Sequence, residues 1–253
     1  MSIPVGLQLY TLREETEKDF VGTLKAVADM GYQAVEFAGY GGIEAKEMKK
    51  VLNDLGLSAP SSHVPIELLL TQLEEQIQYS VEIEAKYIVC PYLDAGTYLR
   101  GEQNLKNTLI NFQKIALKCK ENGLQFAYHN HDFEFEKSVD GKYILDHIYQ
   151  SVEADLLVAE LDLFWVKKAG LDPIQYLSSL KNRCPIIHVK DMTNDNRKTF
   201  AEVGHGIIDY PSIFEMAEQM GIKYYIVEQD VCERSPLESV KMSIDYLKSI
   251  GIA

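Results

Sequence analysis

The sequence predicts an α/β fold, a single closed (β/α)8 TIM barrel that spans residues 1–253. Eight short apolar segments alternate with segments of helical period, at roughly 32 residues per βα unit, and this length is typical of a closed barrel. An amphipathic run that ends in glycine comes directly before a strand four times, in DMGYQAVEF, DLGLSAPSS, ENGLQFAYH and QMGIKYYIV. An open doubly wound sheet is the alternative, but no GxGxxG follows its first strand.

The predicted strands are short apolar runs rather than strict alternations, as expected when both faces of a sheet are buried. In chain order they are VGLQLY (5–10), QAVEF (33–37), LSAPSS (57–62), KYIVCPY (86–92), LQFAYHN (124–130), LLVAELD (156–162), PIIHVK (185–190) and KYYIVE (223–228). The segments between them place apolar residues on one helical face, for example Met48, Val51, Leu52 and Leu55. A further helix is predicted to begin at Asp172, an N-cap residue followed by a proline.

Composition and charge exclude several classes of partner. The net charge of −13 argues against nucleic acid and against an anionic membrane, since both require a basic surface. No apolar stretch approaches the ~18 residues of a membrane span, and the N-terminal segment does not resemble a signal peptide. The four cysteines form no CxxC pair, which is compatible with a reducing compartment. We therefore expect a soluble cytoplasmic protein, and a homo-oligomer remains open.

Six of the predicted strands end in side chains that can bind a metal ion or transfer a proton. These are Glu36, His63, His129 with His131, Glu160 with Asp162, His188 with Lys190, and Glu228. Burial of such groups is costly unless they are paired or bind a cation. Because the active sites of these barrels lie at the carboxyl ends of the strands, the six tips are expected to converge in one polar site.

Asp162, His188 and Glu228 are the best metal ligands by position, because they come from the sixth, seventh and eighth strands, which adjoin in a barrel. A single carboxylate at a strand end is more often a helix cap, and it is the combination with the histidine-rich fifth strand that favours a metal site. A mixed set of nitrogen and oxygen ligands suits Mn²⁺, Zn²⁺, Co²⁺ or Fe²⁺ better than Ca²⁺, and Mg²⁺ stays open.

His129 and His131 are two residues apart, so on a strand they point the same way. One is expected to bind the metal and the other to contact substrate, although one of them can instead pair with a neighbouring carboxylate. By the same period, Glu160 shares the facing of Asp162. It is predicted to support a ligand, to serve as a fifth ligand, or to pair with Lys190.

Other residues are weaker candidates for contact with substrate. His63 is expected to line the pocket or to stabilise a turn, and Gln8 to bind hydroxyl groups or to complete the barrel floor. Glu202 is a candidate pocket residue beside the GHG loop, whose two glycines allow close backbone approach to a ligand. His147 is expected at the surface. The sequence contains no Walker loop, no GxSxG elbow and no HExxH, so a serine or cysteine nucleophile is unsupported.

At these residues the chain resembles the xylose isomerase-like barrel superfamily, which includes sugar phosphate isomerases/epimerases, ketose 3-epimerases, inosose dehydratase and endonuclease IV. The resemblance covers essentially the whole chain, and it is closest to the sugar phosphate isomerase/epimerase subgroup. Its most specific segments are YHNHDFEF (128–135), ELDLFW (160–165), HVKD (188–191), EVGHGIID (202–209) and VEQD (227–230).

The resemblance implies one divalent metal ion per chain, with Mn²⁺ first and Zn²⁺, Co²⁺ or Mg²⁺ as alternatives. Its ligands would be His129, Asp162, His188 and Glu228, with His131 as the rival of His129. Two departures from the ketose 3-epimerase pattern stand out. His129 replaces the glutamate expected on the fifth strand, and Trp165 replaces a histidine three residues after the metal-binding aspartate. Inosose dehydratase, which is also His-rich at the fifth strand, resembles the chain better there.

The resemblance therefore implies a metal-dependent isomerase or epimerase that converts a ketose or keto-polyol through an enediolate. Glu228 would move the carbon-bound proton, with His131 or Glu160 on the opposite face. His63 and Lys190 would orient substrate oxygens, and Trp165 would pack against the sugar ring. The alternatives are a dehydratase or lyase of the inosose dehydratase type, and a non-catalytic sugar-binding barrel. The charge of −13 opposes DNA repair in the manner of endonuclease IV.

Overall fold

The eight main strands close into a barrel, which confirms the predicted (β/α)8 fold. The computed structural model describes residues 2–137 and 141–253. All neighbouring barrel strands are parallel, and the last pairs with the first. The barrel strands are β1 (Val5–Gln8), β2 (Ala34–Phe37), β3 (Ser58–His63), β4 (Tyr87–Cys90), β5 (Gln125–His129), β6 (Leu157–Asp162), β7 (Ile186–Val189) and β10 (Tyr224–Val227). A short antiparallel pair that the sequence did not predict, β8 (Asp191–Met192) and β9 (Phe200–Ala201), follows β7.

Helices surround the barrel. They are α1 (Arg13–Lys18), α2 (Phe20–Met30), α3 (Ala45–Leu55), α4 (Ile66–Thr71), α5 (Leu73–Glu82), α6 (Glu102–Glu121), α7 (Ile144–Ser151), α8 (Leu163–Lys168), α9 (Pro173–Ser179), α10 (Tyr210–Met220) and α11 (Pro236–Ser249). The predicted start at Asp172 is confirmed, since its side chain accepts a hydrogen bond from the amide of Gln175 at 3.0 Å. Gly31, with φ of +97°, is one of the glycines that end a helix directly before a strand.

Apolar side chains between the strands and the helices form the main core. Met48 and Leu52 of α3 are buried there, as the helical pattern predicts, and the rings of Phe112 and Phe126 pack with centroids 5.2 Å apart. Full burial of one such side chain contributes about 1.5–3 kcal/mol. Because this outer core stabilises the barrel, polar groups can be placed inside it at the carboxyl ends of the strands.

The register of the strands aligns the polar tips. His129 pairs with Glu160, and Asp162 pairs with His188, across β5, β6 and β7. Two positions before His129, Ala127 has the same facing and packs with Val89 and Val158 in a separate small apolar cluster. Along β5 and β6 the barrel interior thus changes from apolar to polar toward the carboxyl end.

Candidate active site

A cavity of about 830 Å³ opens at the carboxyl ends of the strands. His63, His129, His131 and Glu228 line its polar end. The rest of the wall is largely apolar and includes Tyr10, Tyr40, Ile43, Val64, Pro65, Leu68, Tyr79, Pro91 and Tyr92. A concave site with an apolar wall and a few convergent polar groups is typical of small-molecule binding.

Four side chains form what we call the histidine-rich cluster: His63, His129, Glu160 and His188. One oxygen of Glu160, Oε1, lies 2.6 Å from Nε2 of His63, 3.1 Å from Nδ1 of His129 and 3.1 Å from Nε2 of His188. The other oxygen, Oε2, is buried and has no hydrogen-bond partner. The cluster reaches the cavity through His63 and His129, while Glu160 and His188 are fully buried.

Glu36 lies next to this cluster and is tied to the barrel floor. Its Oε1 lies 2.7 Å from Nε2 of His188 and 3.1 Å from Nε2 of His63. Gln8 donates a hydrogen bond of 2.7 Å to the same oxygen, and Ser61 donates to Oε2. Gln8 is fully buried and is not among the residues that line the cavity.

A second group, the acidic cluster, contains the ligands predicted from the sequence: His129, Asp162, His188 and Glu228. Nε2 of His129 lies 3.6 Å from Oδ2 of Asp162, and Nδ1 of His188 lies 2.9 Å from Oε2 of Glu228. One ligand atom from each of the four residues lies within 4.8 Å of the others, and all four residues are buried. The predicted convergence of the strand tips therefore brings these four side chains together.

Lys190 contributes its ammonium group to the acidic cluster. Its Nζ lies 2.7 Å from Oδ2 of Asp162, 2.6 Å from Oε2 of Glu228 and 2.8 Å from Oδ2 of Asp230. The lysine is fully buried. Asp230 was not singled out from the sequence, because it lies beyond the end of β10, where the strand period no longer indicates the facing of a side chain.

The electrostatic environment separates the histidines into two kinds. Burial lowers the pKa of His63, but the carboxylates of Glu36 and Glu160 outweigh it and raise that pKa to about 10. Burial, followed by the charge of Lys190, lowers the pKa of His131 to about 3. At neutral pH His131 is therefore a neutral imidazole, whereas His63 is a cation.

The pKa values of the carboxyl groups Glu228 and Asp162 are also shifted in opposite directions. Burial raises the pKa of Glu228, but Lys190 and His188 outweigh it and hold that pKa well below its usual range. Burial raises the pKa of Asp162 to about 6 against the opposing effect of Lys190. The paired Glu228 is thus ionised across the physiological range.

His131 is held by its surroundings rather than by a ring hydrogen bond. Its ring packs against Phe133, Trp165 and Tyr92, with centroids 5.3–5.5 Å apart. Its Nδ1 is buried without a partner, and so is Nε1 of Trp165. The backbone amide of His131 donates to Oε2 of the buried Glu134 at 2.8 Å. These two unpartnered ring nitrogens are the donors or acceptors that a substrate oxygen would satisfy.

The structure places some candidates outside the cavity wall. Glu202 accepts a hydrogen bond from Ser239 at 2.8 Å and pairs with Arg234 at 3.0 Å. His205 is exposed, and His147 is half-buried within α7. None of these three belongs to the residues that line the described cavity.

The close backbone approach predicted for the two glycines of the GHG loop is made to Asp191. The side chain of Asp191 accepts hydrogen bonds from the amides of Gly204, Gly206 and Ile208 at 3.0–3.1 Å, and from Met192 at 2.8 Å. These donors are up to 17 residues away in sequence, so the sequence offered no signal for them.

No helix among residues 2–137 and 141–253 has the length and apolar character needed to cross a membrane.

Comparison with known proteins gives a family and several relatives. A family profile described as "Xylose isomerase-like TIM barrel" matches residues 24–250. An inosose dehydratase of Clostridium perfringens (strain ATCC 13124) is 22% identical over 172 residues, which cover 60% of this chain and 57% of that protein. The chain thus spans less than two thirds of the length of this curated relative.

Two solved structures are similar over nearly their whole length. A sugar phosphate isomerase/epimerase from Parabacteroides distasonis ATCC 8503 has a TM-score of 0.84 and 25% identity, over 100% of this chain and 96% of that one. An L-ribulose 3-epimerase has a TM-score of 0.76 and 14% identity, over 99% and 94%, which shows similarity of fold alone. Because the family profile covers most of the chain, the chain belongs to the xylose isomerase-like TIM barrel family.

Proposed function

We propose that this chain is a divalent-metal-dependent sugar isomerase or epimerase that acts on a ketose or keto-polyol through an enediolate. The observation that carries the proposal is the meeting of two buried histidine and carboxylate clusters with a neutral histidine, His131, at one end of a cavity. The relatives named as sugar phosphate isomerase/epimerase and inosose dehydratase support an enzyme that acts on sugars or polyols.

The proposed ligands of the ion are His129, Asp162, His188 and Glu228. The donor set fits, because the four ligand atoms lie within 4.8 Å of one another and two nitrogens with two carboxylates suit Mn²⁺ as well as Zn²⁺ or Co²⁺. The ammonium of Lys190 lies within 2.7 Å of Asp162 and Glu228, so it would have to move away from them for an ion to bind. A divalent ion there would act as a Lewis acid toward substrate oxygens.

Glu228 and His131 are the proposed proton-transfer groups, since both line the cavity. His131 has a buried, unpartnered ring nitrogen and lines the cavity, so it is placed to exchange a proton with a bound substrate. Glu160 does not line the cavity, and we assign it the role of orienting His63 and His129 through Oε1.

Recognition of the substrate is assigned to His63, Lys190 and Trp165. His63 lines the cavity and, as a cation, can donate to a substrate oxygen. Lys190 places a positive charge behind Glu228 and Asp230, which both face the cavity. Trp165 lies beside His131 and can pack against the apolar face of a sugar ring.

The test measures metal content and exchange of a substrate proton together. After incubation with Mn²⁺ and a ketose or inosose in D₂O, we expect one Mn²⁺ per chain and an exchange of a carbon-bound proton that requires it. Glu228→Gln should weaken or abolish both. Glu44→Gln is the matched control, because Glu44 also lines the cavity but lies outside both clusters. Turnover without any exchange would contradict the enediolate route.

A dehydratase is the second candidate, favoured by the histidine at the end of β5 and by the inosose dehydratase relatives. The same enediolate would then lose a hydroxyl group from the adjacent carbon as water. The product would carry a carbon–carbon double bond, absorb in the ultraviolet and weigh one water less than the substrate. An isomer of unchanged mass would rule this candidate out.

A further inference from the structure

Glu160 is hydrogen-bonded in an unbalanced way. Three imidazole nitrogens, from His63, His129 and His188, converge on its Oε1 within 2.6–3.1 Å, while its Oε2 is buried without any partner. Of the three, only His63 and His129 hydrogen-bond Oε1, because Nε2 of His188 has its closer partner in Glu36 at 2.7 Å. The third nitrogen therefore crowds Oε1 while Oε2 has no partner among the described residues. An arrangement of nitrogens around one buried oxygen is instead suited to sharing a cation.

The carboxylates of the acidic cluster, in contrast, already have a positive charge among them. The ammonium of Lys190 lies within 2.8 Å of three carboxylates, those of Asp162, Glu228 and Asp230. An ammonium group has three protons, and three close carboxylates match them. A divalent ion that bound Asp162 and Glu228 would have to displace this buried ammonium or accept strong repulsion from it.

We propose that the histidine-rich cluster of His63, His129, Glu160 and His188 is a second cation site, which takes a divalent transition-metal ion in the substrate-free protein while Lys190 stays on the acidic cluster. This site differs from the set used in the proposed function by His63 and Glu160 in place of Asp162 and Glu228. Binding of an ion at this site can be measured without any reaction of a substrate.

The two sites share two histidines through opposite ring nitrogens. Nδ1 of His129 and Nε2 of His188 face Glu160, whereas Nε2 of His129 and Nδ1 of His188 face the acidic cluster. A neutral imidazole offers only one lone pair for a metal. An ion in one site therefore excludes an ion in the other.

Access and support are both present at the histidine-rich cluster. His63 and His129 line the cavity, so an ion has a path from solvent, and the ion would replace the proton that His63 carries. Glu36 lies within 3.1 Å of both His63 and His188, and Gln8 and Ser61 hold it in place. Because Glu36 contacts the same Nε2 atoms that would bind the ion, its carboxylate adds a negative charge directly beside the ion.

The chemistry of the donors predicts which ions bind. Three imidazoles with one carboxylate favour Zn²⁺ or Co²⁺, whereas two imidazoles with two carboxylates are the better set for Mn²⁺. The histidine-rich cluster should therefore prefer Zn²⁺ and Co²⁺ strongly over Mn²⁺ and Mg²⁺.

The test uses Co²⁺ alone as the probe and needs no substrate. The affinity and the visible absorption of bound Co²⁺ would be measured for the intact chain and for two pairs of variants. His63→Gln and Glu160→Gln change only the histidine-rich cluster, and Asp162→Asn and Glu228→Gln change only the acidic cluster. Circular dichroism and thermal melting would establish that each variant is folded. If one variant of a pair does not fold, the other variant of that pair is used in its place.

We expect the first pair to weaken Co²⁺ binding by more than the roughly 10–100-fold that loss of a supporting group costs, and to change the absorption band. The second pair should retain binding within a few fold. Loss of binding only in the acidic-cluster variants would overturn the inference and leave the ligand set of the proposed function in place. Loss in all four variants, or no binding of Co²⁺ by the intact chain, would also overturn it.

Discussion

Asp162 and Asp191 are two buried aspartates that follow neighbouring strands but have different surroundings. Asp191 accepts four backbone hydrogen bonds, from Met192, Gly204, Gly206 and Ile208, so both of its oxygens are satisfied. Asp162 uses Oδ1 to cap α8, while Oδ2 has charged neighbours but no well-aligned hydrogen bond. A carboxylate with all its partners in the fold stabilises the fold. A carboxylate with an oxygen that accepts no hydrogen bond is available to bind a ligand.

The largest expected effect comes from Asp162→Asn. Removal of its charge should lower turnover, measured as exchange of a substrate proton with solvent, by at least about 100- to 1,000-fold. The loss in the free energy of unfolding should stay below about 3 kcal/mol, because the Asn oxygen can still cap α8 and the buried Lys190 keeps Glu228 and Asp230 as partners. A large loss of stability in urea unfolding would contradict the distinction between the two aspartates.

Asp191→Asn should have the reverse profile. The amide nitrogen would face two backbone N–H donors in place of an acceptor, which removes two hydrogen bonds to a charged group. At about 1.5–3 kcal/mol for each such bond, we expect a loss of at least about 3 kcal/mol in the free energy of unfolding. Urea unfolding measures this loss. Binding of Co²⁺ should remain within a few fold, and its abolition would contradict a purely structural role.

Glu134 should make stability depend on pH. It accepts hydrogen bonds from Tyr128 at 2.6 Å and from the amide of His131 at 2.8 Å, yet burial raises its pKa from 4.5 to about 7. The folded state therefore retains the proton that the unfolded state loses, so stability is full below pH 4.5 and falls as the pH rises to about 7. The fall is at most about 3 kcal/mol, at ~1.4 kcal/mol per pKa unit.

Urea unfolding between pH 4 and pH 8 measures this dependence. Glu134→Gln should flatten it, because the variant has no group to titrate at that place. The matched control is Glu136→Gln in the same turn, since Glu136 is exposed and pairs with Arg100 at 2.8 Å. An equal slope in both variants would show that Glu134 is not the group responsible.

The smallest expected effect concerns the loop around Asp191. A Cβ on Gly206 would lie 2.2 Å from Oδ1 of Asp191 and 2.4 Å from the carbonyl oxygen of Met192. Gly206→Ala should therefore cost about 1–3 kcal/mol, measured by thermal or urea unfolding. Gly96→Ala is the matched control, because its nearest neighbour, Oδ1 of Asp94, lies at 3.5 Å. Similar stability of the two variants would mean that the loop can move away from Asp191.

Much of the fold was predictable because its signals are local. Seven of the eight barrel strands lie within a predicted run, and β3 extends one residue beyond its run, to His63. The helix end at Gly31 and the helix start at Asp172 were marked by single residues whose conformational preferences are strong. The convergence of Asp162, His188 and Glu228 was predictable for a related reason. In a parallel barrel, residues at the ends of successive strands must lie at the same end of the molecule.

The partners within that site were not predictable. The strand period indicates that Glu160 and Asp162 share a facing, but it does not say that Glu160 joins His63 while Asp162 joins Lys190. Those contacts depend on the stagger of β3, β6 and β7 and on side-chain rotamers. The destination of Glu202 was equally open, because its partners lie in and beside α11.

The sequence by itself therefore determined the order of strands and helices and the set of polar residues at the strand ends, since periodicity, helix caps and glycine positions act over a few residues. Only the tertiary structure decided how those polar residues divide. It put three imidazoles around Glu160, an ammonium between Asp162 and Glu228, and four backbone amides on Asp191. The reason is physical: the free energy of a buried charge depends on its neighbours within a few ångströms, and those neighbours come from distant parts of the chain.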